Sequence, residues 1–195
     1  MLKVALTGGA ATGKSYVLDQ FRRAGVPTLV ADDLAHGVTA AGTEATAAIA
    51  SRFGGDVIGA DGAVDRAALG AIVFADDAAR RDLEAIVHPA VYRSIQVGMR
   101  AFEKAGDALA VIEIPLLYES GHARDFDRVI VTACSEDIQL RRLASRGLTE
   151  ARARQILAAQ MPTVEKAARA DYVIRTDGDK SGTDAQVRDI LSRLR

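Results

Sequence analysis

The chain has 195 residues, of which 49% are hydrophobic and 26% are charged, and its formal net charge is −1. These values exclude a disordered chain and give no sign of general nucleic-acid binding; the length suits one domain with an insert. A single cysteine, Cys134, excludes an intramolecular disulfide and a cysteine-based zinc site. No apolar stretch is long enough to span a bilayer, and the N-terminal apolar run is too short for a signal peptide. We therefore expect a cytoplasmic protein without nucleic-acid or membrane partners.

A glycine-rich loop follows the first predicted strand. Residues 8–15 match G-x-x-x-x-G-K-S, the pattern of a phosphate-binding loop. The apolar run at 2–7 predicts a buried strand, and residues 16–23 predict a helix that ends before Gly25. In such a strand–loop–helix unit the backbone N–H groups bind phosphates, Lys14 reaches the β- and γ-phosphates, and the Ser15 hydroxyl ligates Mg²⁺. The motif predicts a site for a nucleotide with its magnesium ion.

Two acidic residues follow the second predicted strand, at residues 27–31. Ligands of open α/β sheets sit at the carboxyl ends of the strands, so Asp32 is placed for chemistry. It would accept or orient the proton of an attacking hydroxyl, as the catalytic aspartate of a kinase does. The alternative for Asp32 is a helix N-cap, and capping is the interpretation we favour for Asp33.

Residues 33–106 are rich in alanine and in helical patterns, and they lack clear strands. Asp65 and the pair at 76–77 are candidate N-caps, and Pro89 predicts the start of a further helix that ends near residue 106. His88, directly before this start, would cap the helix, pack against it or contact a substrate. We expect a helical insert that binds the second substrate.

Strands resume at 108–114, 128–132 and 172–175, with helices predicted at 135–146 and 149–160 between them. Residues 183–186 fit a capping box that would open the last helix. Together these elements predict an α/β fold of the P-loop NTPase type, a parallel sheet flanked by helices with a helical substrate-binding insert.

Three arginines, Arg141, Arg142 and Arg146, lie on one predicted helix, and the last two share a face by their spacing of four. They would clamp ATP phosphates, or they would form a solvated basic face. Two acids near the third strand, Glu113 and Glu119, would support the metal site or pair with a nearby arginine. No Asn-Lys-x-Asp guanine pattern is present, which argues against a GTPase.

These features favour a small-molecule kinase. A nucleoside or nucleotide monophosphate kinase would have an acceptor pocket in the same helical insert. A switch protein that hydrolyses its nucleotide slowly is the alternative from another class, and it has no need of a base such as Asp32.

Ordered motifs along the whole chain resemble those of dephospho-coenzyme A kinase. Residues 6–15 resemble its L-T-G-G-x-x-x-S-G-K-S opening, and 30–36 its D-A-D-x-I-A-H segment. Further matches are H-P at 88–89, P-L-L-F-E at 115–119, Q-x-x-R-L-x-x-R at 139–146, A-x-Q-M at 158–161 and A-D-x-V-I at 170–174. Three positions depart from the pattern. Val30 replaces its first Asp, so only Asp32 can carry the acid role, Thr12 replaces a Ser, and Thr176 replaces an Asn.

The resemblance implies ATP-dependent phosphorylation of the ribose 3′-hydroxyl of dephospho-CoA, the last step of coenzyme A synthesis. We expect a monomer or small homo-oligomer. The resemblance also implies a nucleotide core at about 1–32 and 107–195, an acceptor-binding insert at about 33–106 and a lid within about 136–160. The implied catalytic residues are Asp32, Lys14 and Arg142, with Mg²⁺ on Ser15. The implied ATP contacts are Gly8, Ala11, Thr12, Gly13, Lys14, Ser15, Tyr16, Arg142 and Arg146. The implied acceptor contacts are Thr7, Asp32, His36, His88 and Leu116.

Overall fold

The computed structural model describes residues 1–195, which form two compact units. We call Met1–Val30 together with Ala101–Arg195 the sheet unit, and Ala31–Arg100 the helical unit. None of the helices combines the length and the apolar composition that a membrane crossing requires.

The sheet unit contains five strands, all parallel, in the order β2-β3-β1-β4-β5. All five predicted strands are present, and their ends differ from the predicted ones by no more than one residue. This confirms the predicted α/β class with a parallel sheet. The strands are β1 Leu2–Gly8, β2 Thr28–Val30, β3 Leu109–Glu113, β4 Arg128–Ala133 and β5 Tyr172–Arg175.

Nine α-helices complete the two units, and short 3₁₀ turns lie at Gly55–Val57 and His122–Asp125. The sheet unit holds the first helix and the last four, and the helical unit holds α2 to α4 with most of α5. The helices are α1 Lys14–Arg23, α2 Ala31–Val38, α3 Glu44–Phe53, α4 Arg66–Ala75, α5 Asp77–Lys104, α6 Glu136–Ala144, α7 Glu150–Ala158, α8 Thr163–Ala168 and α9 Lys180–Leu194.

The core of the sheet unit lies where α1 and α9 pack on the strands. The consecutive residues Val4, Ala5 and Leu6 of β1 are all fully buried, so both faces of this central strand are covered. A parallel strand covered on both faces needs a continuous apolar run, which is why these short runs predict the strands well. The helices contribute buried side chains at helical spacing, namely Val17, Leu18 and Phe21 from α1 and Val187, Ile190 and Leu191 from α9.

The helical unit has its own core around Ile49, Val57 and Leu69. Two N-caps predicted in this unit are confirmed, because their side chains accept hydrogen bonds from N–H groups in the first turn of the following helix. Asp65 Oδ1 accepts from the N–H groups of residues 67 and 68 at 2.9 and 3.0 Å, and Asp76 Oδ1 accepts from that of residue 78 at 2.7 Å. The only strand-like pairing in this unit is an isolated bridge.

The predicted helix boundary at Pro89 is wrong. α5 runs without interruption from Asp77 to Lys104 with Pro89 inside it. A proline inside a helix removes one backbone hydrogen bond and crowds the preceding turn. Here the buried face of the helix continues on both sides of the proline, with Ala79 before it and Ile95 and Met99 after it. Burial of that face therefore outweighs the local cost, and His88 lies in the helix interior, where it cannot act as an N-cap.

Two other predicted helix starts also differ from the structure. The capping box is wrong, because α9 begins at Lys180, with Asp179 Oδ1 accepting from the N–H of Gly182 at 2.8 Å. Gln186 instead pairs with the edge strand β5, accepting from the Arg175 N–H at 2.8 Å and donating to its carbonyl at 2.9 Å. The N-cap interpretation of Asp33 is wrong as well, because α2 already begins at Ala31.

Candidate active site

The loop between β1 and α1 has the backbone of an anion-binding loop. Gly13 directly precedes α1 with φ 91°, and Ala11 is the only non-glycine residue with a positive φ, at 58°. At Gly8 a Cβ would lie 2.5 Å from the carbonyl oxygen of Thr132 on β4, so only glycine fits there. The backbone N–H groups of Ala10, Ala11 and Gly13 have no acceptor within the protein. The loop therefore presents several donors that an anion can satisfy.

Lys14 lies across this loop. Its Nζ donates to the carbonyl oxygens of Gly8 and Gly9 at 3.2 and 3.0 Å. The next residue, Ser15, is exposed in the first turn of α1. The loop thus brings an ammonium group and an exposed hydroxyl to the end of the helix at which the backbone dipole attracts negative charge.

The hydroxyl groups of three buried threonines support the loop from the protein interior. Thr12 is fully buried, and its Oγ1 donates to the Gly9 carbonyl at 2.8 Å and lies 2.7 Å from Thr132 Oγ1. Thr176, just after β5, donates its hydroxyl to the Thr12 carbonyl at 2.8 Å. The Thr12 hydroxyl therefore faces the protein interior, and any contact that Thr12 makes with a nucleotide has to use its backbone.

Arg142 of α6 also binds the loop. Its Nη1 donates to the Ala11 carbonyl at 3.0 Å and to Thr176 Oγ1 at 3.1 Å, and its Nη2 donates to the Thr176 carbonyl at 2.6 Å. Arg146 differs, because α6 ends at Ala144 and Arg146 is exposed with no hydrogen bond from its guanidinium. The argument that spacing places both arginines on one helix face is therefore wrong, since the second lies beyond the helix end.

Gln139 is a further support of the loop, and the sequence motifs named it without assigning a role. It is 5% exposed, and its Nε2 donates to the Ala10 carbonyl at 2.6 Å. Thr163, the first residue of α8, donates to Gln139 Oε1 at 3.5 Å. A cavity of about 620 Å³ opens beside these residues, between the loop and helices α6 to α8, and Arg154 also lines it.

A buried lysine connects three segments of the sheet unit. Lys166 of α8 is fully buried, and its Nζ donates to the Pro115 carbonyl at 2.9 Å and pairs with Glu119 Oε1 at 2.8 Å. The same Glu119 oxygen accepts from the Met161 N–H at 2.9 Å, and the Pro115 carbonyl also accepts from Thr7 Oγ1 at 3.2 Å. The predicted choice for Glu119 between a metal site and an arginine partner was therefore incomplete, since its partner is a lysine.

The charge of Glu119 is stabilised by these contacts. Burial acts to raise the pKa of the carboxyl group, but the hydrogen bonds from Lys166 and from the backbone, together with the lysine charge, outweigh it and lower that pKa.

Nothing in the sequence distinguishes Lys166 from a solvated lysine on a short helix, because its partners lie about 50 residues away along the chain.

Tyr16 makes its side-chain contacts with α9. Its hydroxyl donates to Asp184 Oδ1 at 2.7 Å, and Lys180 Nζ lies 5.4 Å from the ring centroid. The hydrogen bond to Asp184, partial burial and the charge of that carboxylate raise the pKa of the Tyr16 hydroxyl. The hydroxyl group of Tyr16 is therefore bound to α9 and not to the phosphate loop.

The predicted acceptor residues divide between the two units. Thr7 and Leu116 belong to the sheet unit, where Thr7 is fully buried and Leu116 is 38% exposed. Asp32, His36 and His88 belong to the helical unit. Asp32 and His36 are exposed, one helical turn apart on α2, and His88 is half-buried in α5. No group of three or more His, Cys, Asp or Glu side chains is arranged to hold a metal ion by itself.

A phosphate loop at the end of a central parallel strand can belong to many kinases, and the comparisons with known proteins decide between them. The model of the dephospho-CoA kinase family matches residues 2–181. The chain belongs to this family. It is 43% identical over 193 residues to the dephospho-CoA kinase of Shouchella clausii, with 98% of each chain covered. It is 45% identical over 196 residues to that of Anaeromyxobacter dehalogenans, covering 100% of this chain and 93% of the relative.

The fold agrees with this assignment. The solved structure of the dephospho-CoA kinase from Campylobacter jejuni matches with a TM-score of 0.76 at 26% identity, over 98% of this chain and 96% of that one. The chain is therefore a kinase, and its reaction is the phosphorylation of dephospho-CoA in coenzyme A biosynthesis. ATP is the co-substrate, and both substrates are small molecules.

Proposed function

We propose that the chain transfers the γ-phosphate of ATP to the ribose 3′-hydroxyl of dephospho-CoA and releases coenzyme A and ADP. The observation that carries this proposal is the phosphate loop with three N–H groups, those of Ala10, Ala11 and Gly13, that lack an acceptor in the protein. Phosphate oxygens are the acceptors that such a loop binds. Lys14 adds positive charge at the same loop, which suits the β- and γ-phosphates.

The residues at the loop fit a magnesium ion that is shared with the nucleotide. Ser15 offers an exposed hydroxyl, and no cluster of carboxylates or histidines offers a full set of ligands. Mg²⁺ commonly takes few protein ligands and completes its coordination with phosphate oxygens and waters. When bound, the ion would neutralise phosphate charge, and Ser15 is the residue that would hold it.

Two arginines are proposed to act on the phosphates in different ways. The guanidinium of Arg146 is exposed and has no partner, so it can bind a phosphate within a lid formed by residues of 136–160. Arg142 holds the loop carbonyl of Ala11, and a phosphate oxygen is a stronger acceptor for a guanidinium than a carbonyl is. We propose that Arg142 positions the loop and contacts the phosphates once ATP is bound.

Asp32 is proposed to take or orient the proton of the acceptor hydroxyl. Support comes from its exposed carboxylate and from its place two residues after β2, whose carboxyl end lies on the same edge of the sheet as that of β1. Of the other proposed acceptor contacts, His36, His88 and Leu116 are all at least partly exposed. Thr7 is buried with its hydroxyl bound to Pro115, so its proposed role is to position that segment.

Release of ADP from ATP·Mg²⁺ with a panel of acceptors tests the proposed function. Dephospho-CoA, adenosine, AMP and water alone are compared at equal concentrations, and the product is analysed for a 3′-phosphate. We expect strong stimulation by dephospho-CoA only. Stimulation by AMP instead would indicate a nucleotide monophosphate kinase, and an equal rate in water would indicate a hydrolysing switch.

Replacement of one carboxylate tests the proposed base. Asp32→Asn should lower kcat by about 100- to 10,000-fold, since general-base catalysis contributes on that scale, and should leave the Kd for ATP nearly unchanged. Asp33→Asn is the matched control, because Asp33 is also exposed in the first turn of α2. Equal effects of the two variants, or loss of ATP binding in Asp32→Asn, would show that Asp32 is not the base.

We also propose that the enzyme works in the cytoplasm as a monomer or small homo-oligomer, without nucleic-acid or membrane partners. The single cysteine is buried and forms no disulfide, and the formal net charge of −1 provides no general attraction to anionic polymers.

A further inference from the structure

One side of α2 carries Asp32 near its start and is contacted by the side chain of Arg66 at its other end. Asp32, His36 and Thr39 are spaced by four and three residues, so they lie on the same side of α2 and its end. At the far end, Arg66 Nη2 donates to the Ala35 carbonyl at 3.4 Å and to Thr39 Oγ1 at 3.1 Å. The rise of a helix places this end about 10 Å from Asp32 along the axis. All of these residues belong to the helical unit.

Arg66 is held in place without losing its charge or its capacity to bind. Its two acceptors are neutral, both are contacted by Nη2, and no carboxylate pairs with it. Asp65, the residue before it, uses its carboxylate to cap α4. The side chain is exposed, and Nη1 and Nε make no hydrogen bond in the protein. Nη2 is therefore anchored, and Nη1 and Nε remain as two separate exposed donors, each of which can bind one phosphate oxygen.

Two other arginines of the helical unit are engaged differently. Arg52 pairs with Asp82 at 2.6 Å, and Arg80 pairs with Asp77 at 3.1 Å. Such surface pairs leave the guanidinium partly neutralised. An arginine that is anchored by a helix end and has no anionic partner is a pre-organised anion site, because part of its side-chain entropy is already lost before an anion binds.

We propose that Arg66 binds the 5′-diphosphate of dephospho-CoA and thereby selects this acceptor over nucleosides. The inference rests on the proposed role of Asp32 at the acceptor hydroxyl. The diphosphate extends from the 5′-carbon of the ribose whose 3′-hydroxyl reacts, so its partner has to lie a short distance from the base. Arg66 meets this requirement, because its positive charge lies at one end of α2 and the carboxylates of Asp32 and Asp33 lie at the other. His36, between the two ends, faces the bound sugar and its phosphates.

The test compares two acceptors in wild type and in Arg66→Met. For dephospho-CoA we expect kcat/KM to fall by about 10- to 100-fold, mainly through a higher KM, since charge-assisted hydrogen bonds to the diphosphate are lost. For adenosine, which has no diphosphate, kcat/KM should be unchanged. If adenosine turns over too slowly, its Ki as a competitor of dephospho-CoA replaces kcat/KM, and it should be equal in both proteins. Arg81→Met is the control, because Arg81 is an exposed arginine of the same unit.

A purely structural role of Arg66 would give a different result. Loss of its bonds to α2 would then impair both acceptors equally, and Thr39→Val, which removes one of these bonds and keeps the arginine charge, would also impair both acceptors. Under the proposal Thr39→Val raises the KM for dephospho-CoA by less than Arg66→Met does. Equal loss with both acceptors, or an unchanged KM for dephospho-CoA, overturns the inference. Wild type that fails to phosphorylate dephospho-CoA would instead contradict the proposed function.

Discussion

Lys166 and Glu119 form an ion pair in which the two partners are buried to different degrees. The lysine side chain is fully buried, whereas the glutamate side chain is 24% exposed. We therefore expect removal of the glutamate to destabilise the protein more than removal of the lysine. The perturbations are Lys166→Met, Glu119→Leu and the double variant, in which apolar side chains of similar size replace the charged ones.

The contacts that remain in each variant set the magnitudes. In Lys166→Met the carboxylate of Glu119 keeps the Met161 N–H and reaches water, and the Pro115 carbonyl keeps the Thr7 hydroxyl. The expected cost is about 1.5–3 kcal/mol, the value of a lost hydrogen bond to a charged group. In Glu119→Leu a fully buried ammonium keeps only one carbonyl acceptor, and breaking a buried pair in this way costs about 3–5 kcal/mol.

Urea unfolding followed by circular dichroism at neutral pH measures these differences. The double variant should be more stable than Glu119→Leu alone, because the unpaired buried charge is gone, so the two single effects should not add. Equal costs for the two single variants, or simple additivity, would refute the reasoning from burial.

The pH dependence provides a second measurement on the same pair. The native pKa of Glu119 is lowered, so its stabilising contribution is complete above its ordinary pKa of about 4.3 and is lost as pH falls through the lower native value. The stability gap between wild type and Lys166→Met should therefore narrow in acid, below about pH 4. A gap that stays constant through this range would mean that the two charges do not interact.

Two further predictions concern the phosphate loop. Arg142→Met should weaken ATP binding by about 10-fold, measured by calorimetry, because the Ala11 carbonyl loses a charged donor that fixes the loop; unchanged ATP affinity would exclude this positioning role. Gly8→Ala should abolish ATP binding and lower the unfolding free energy by about 3 kcal/mol, since its Cβ would lie 2.5 Å from the Thr132 carbonyl oxygen. Gly42→Ala, at φ 77° in open space, should cost only about 1 kcal/mol and leave ATP binding intact.

Much of the fold was predictable because its signals are local. The five strands follow from continuous apolar runs, which a doubly covered parallel sheet requires. The N-caps at Asp65 and Thr149 follow from side chains that reach backbone groups two or three residues away. Pro89 is the contrary case, because its local preference is overruled by a buried helix face on either side.

The part of the candidate site that is formed by a contiguous motif was also predictable from the sequence. The phosphate loop, with Lys14 and Ser15, is a contiguous motif whose geometry depends on its own backbone, so the sequence alone predicts the loop and its conformation. The ordered motifs then determine the family. The N-cap interpretation of Asp33 failed and the alternatives for Glu119 stayed open, because the helix start and the ion pair that decide them depend on contacts outside the motifs.

The tertiary structure alone decided which groups hold the loop and which remain available for ligands. Gln139 reaches the Ala10 carbonyl across 129 positions of the chain, and Lys166 reaches Pro115 across 51. Arg66 and Thr39 meet in the same way, 27 residues apart. No periodicity or local motif records such pairs, because they depend on how separate elements pack, and packing is settled by the sum of many weak contacts over the whole chain.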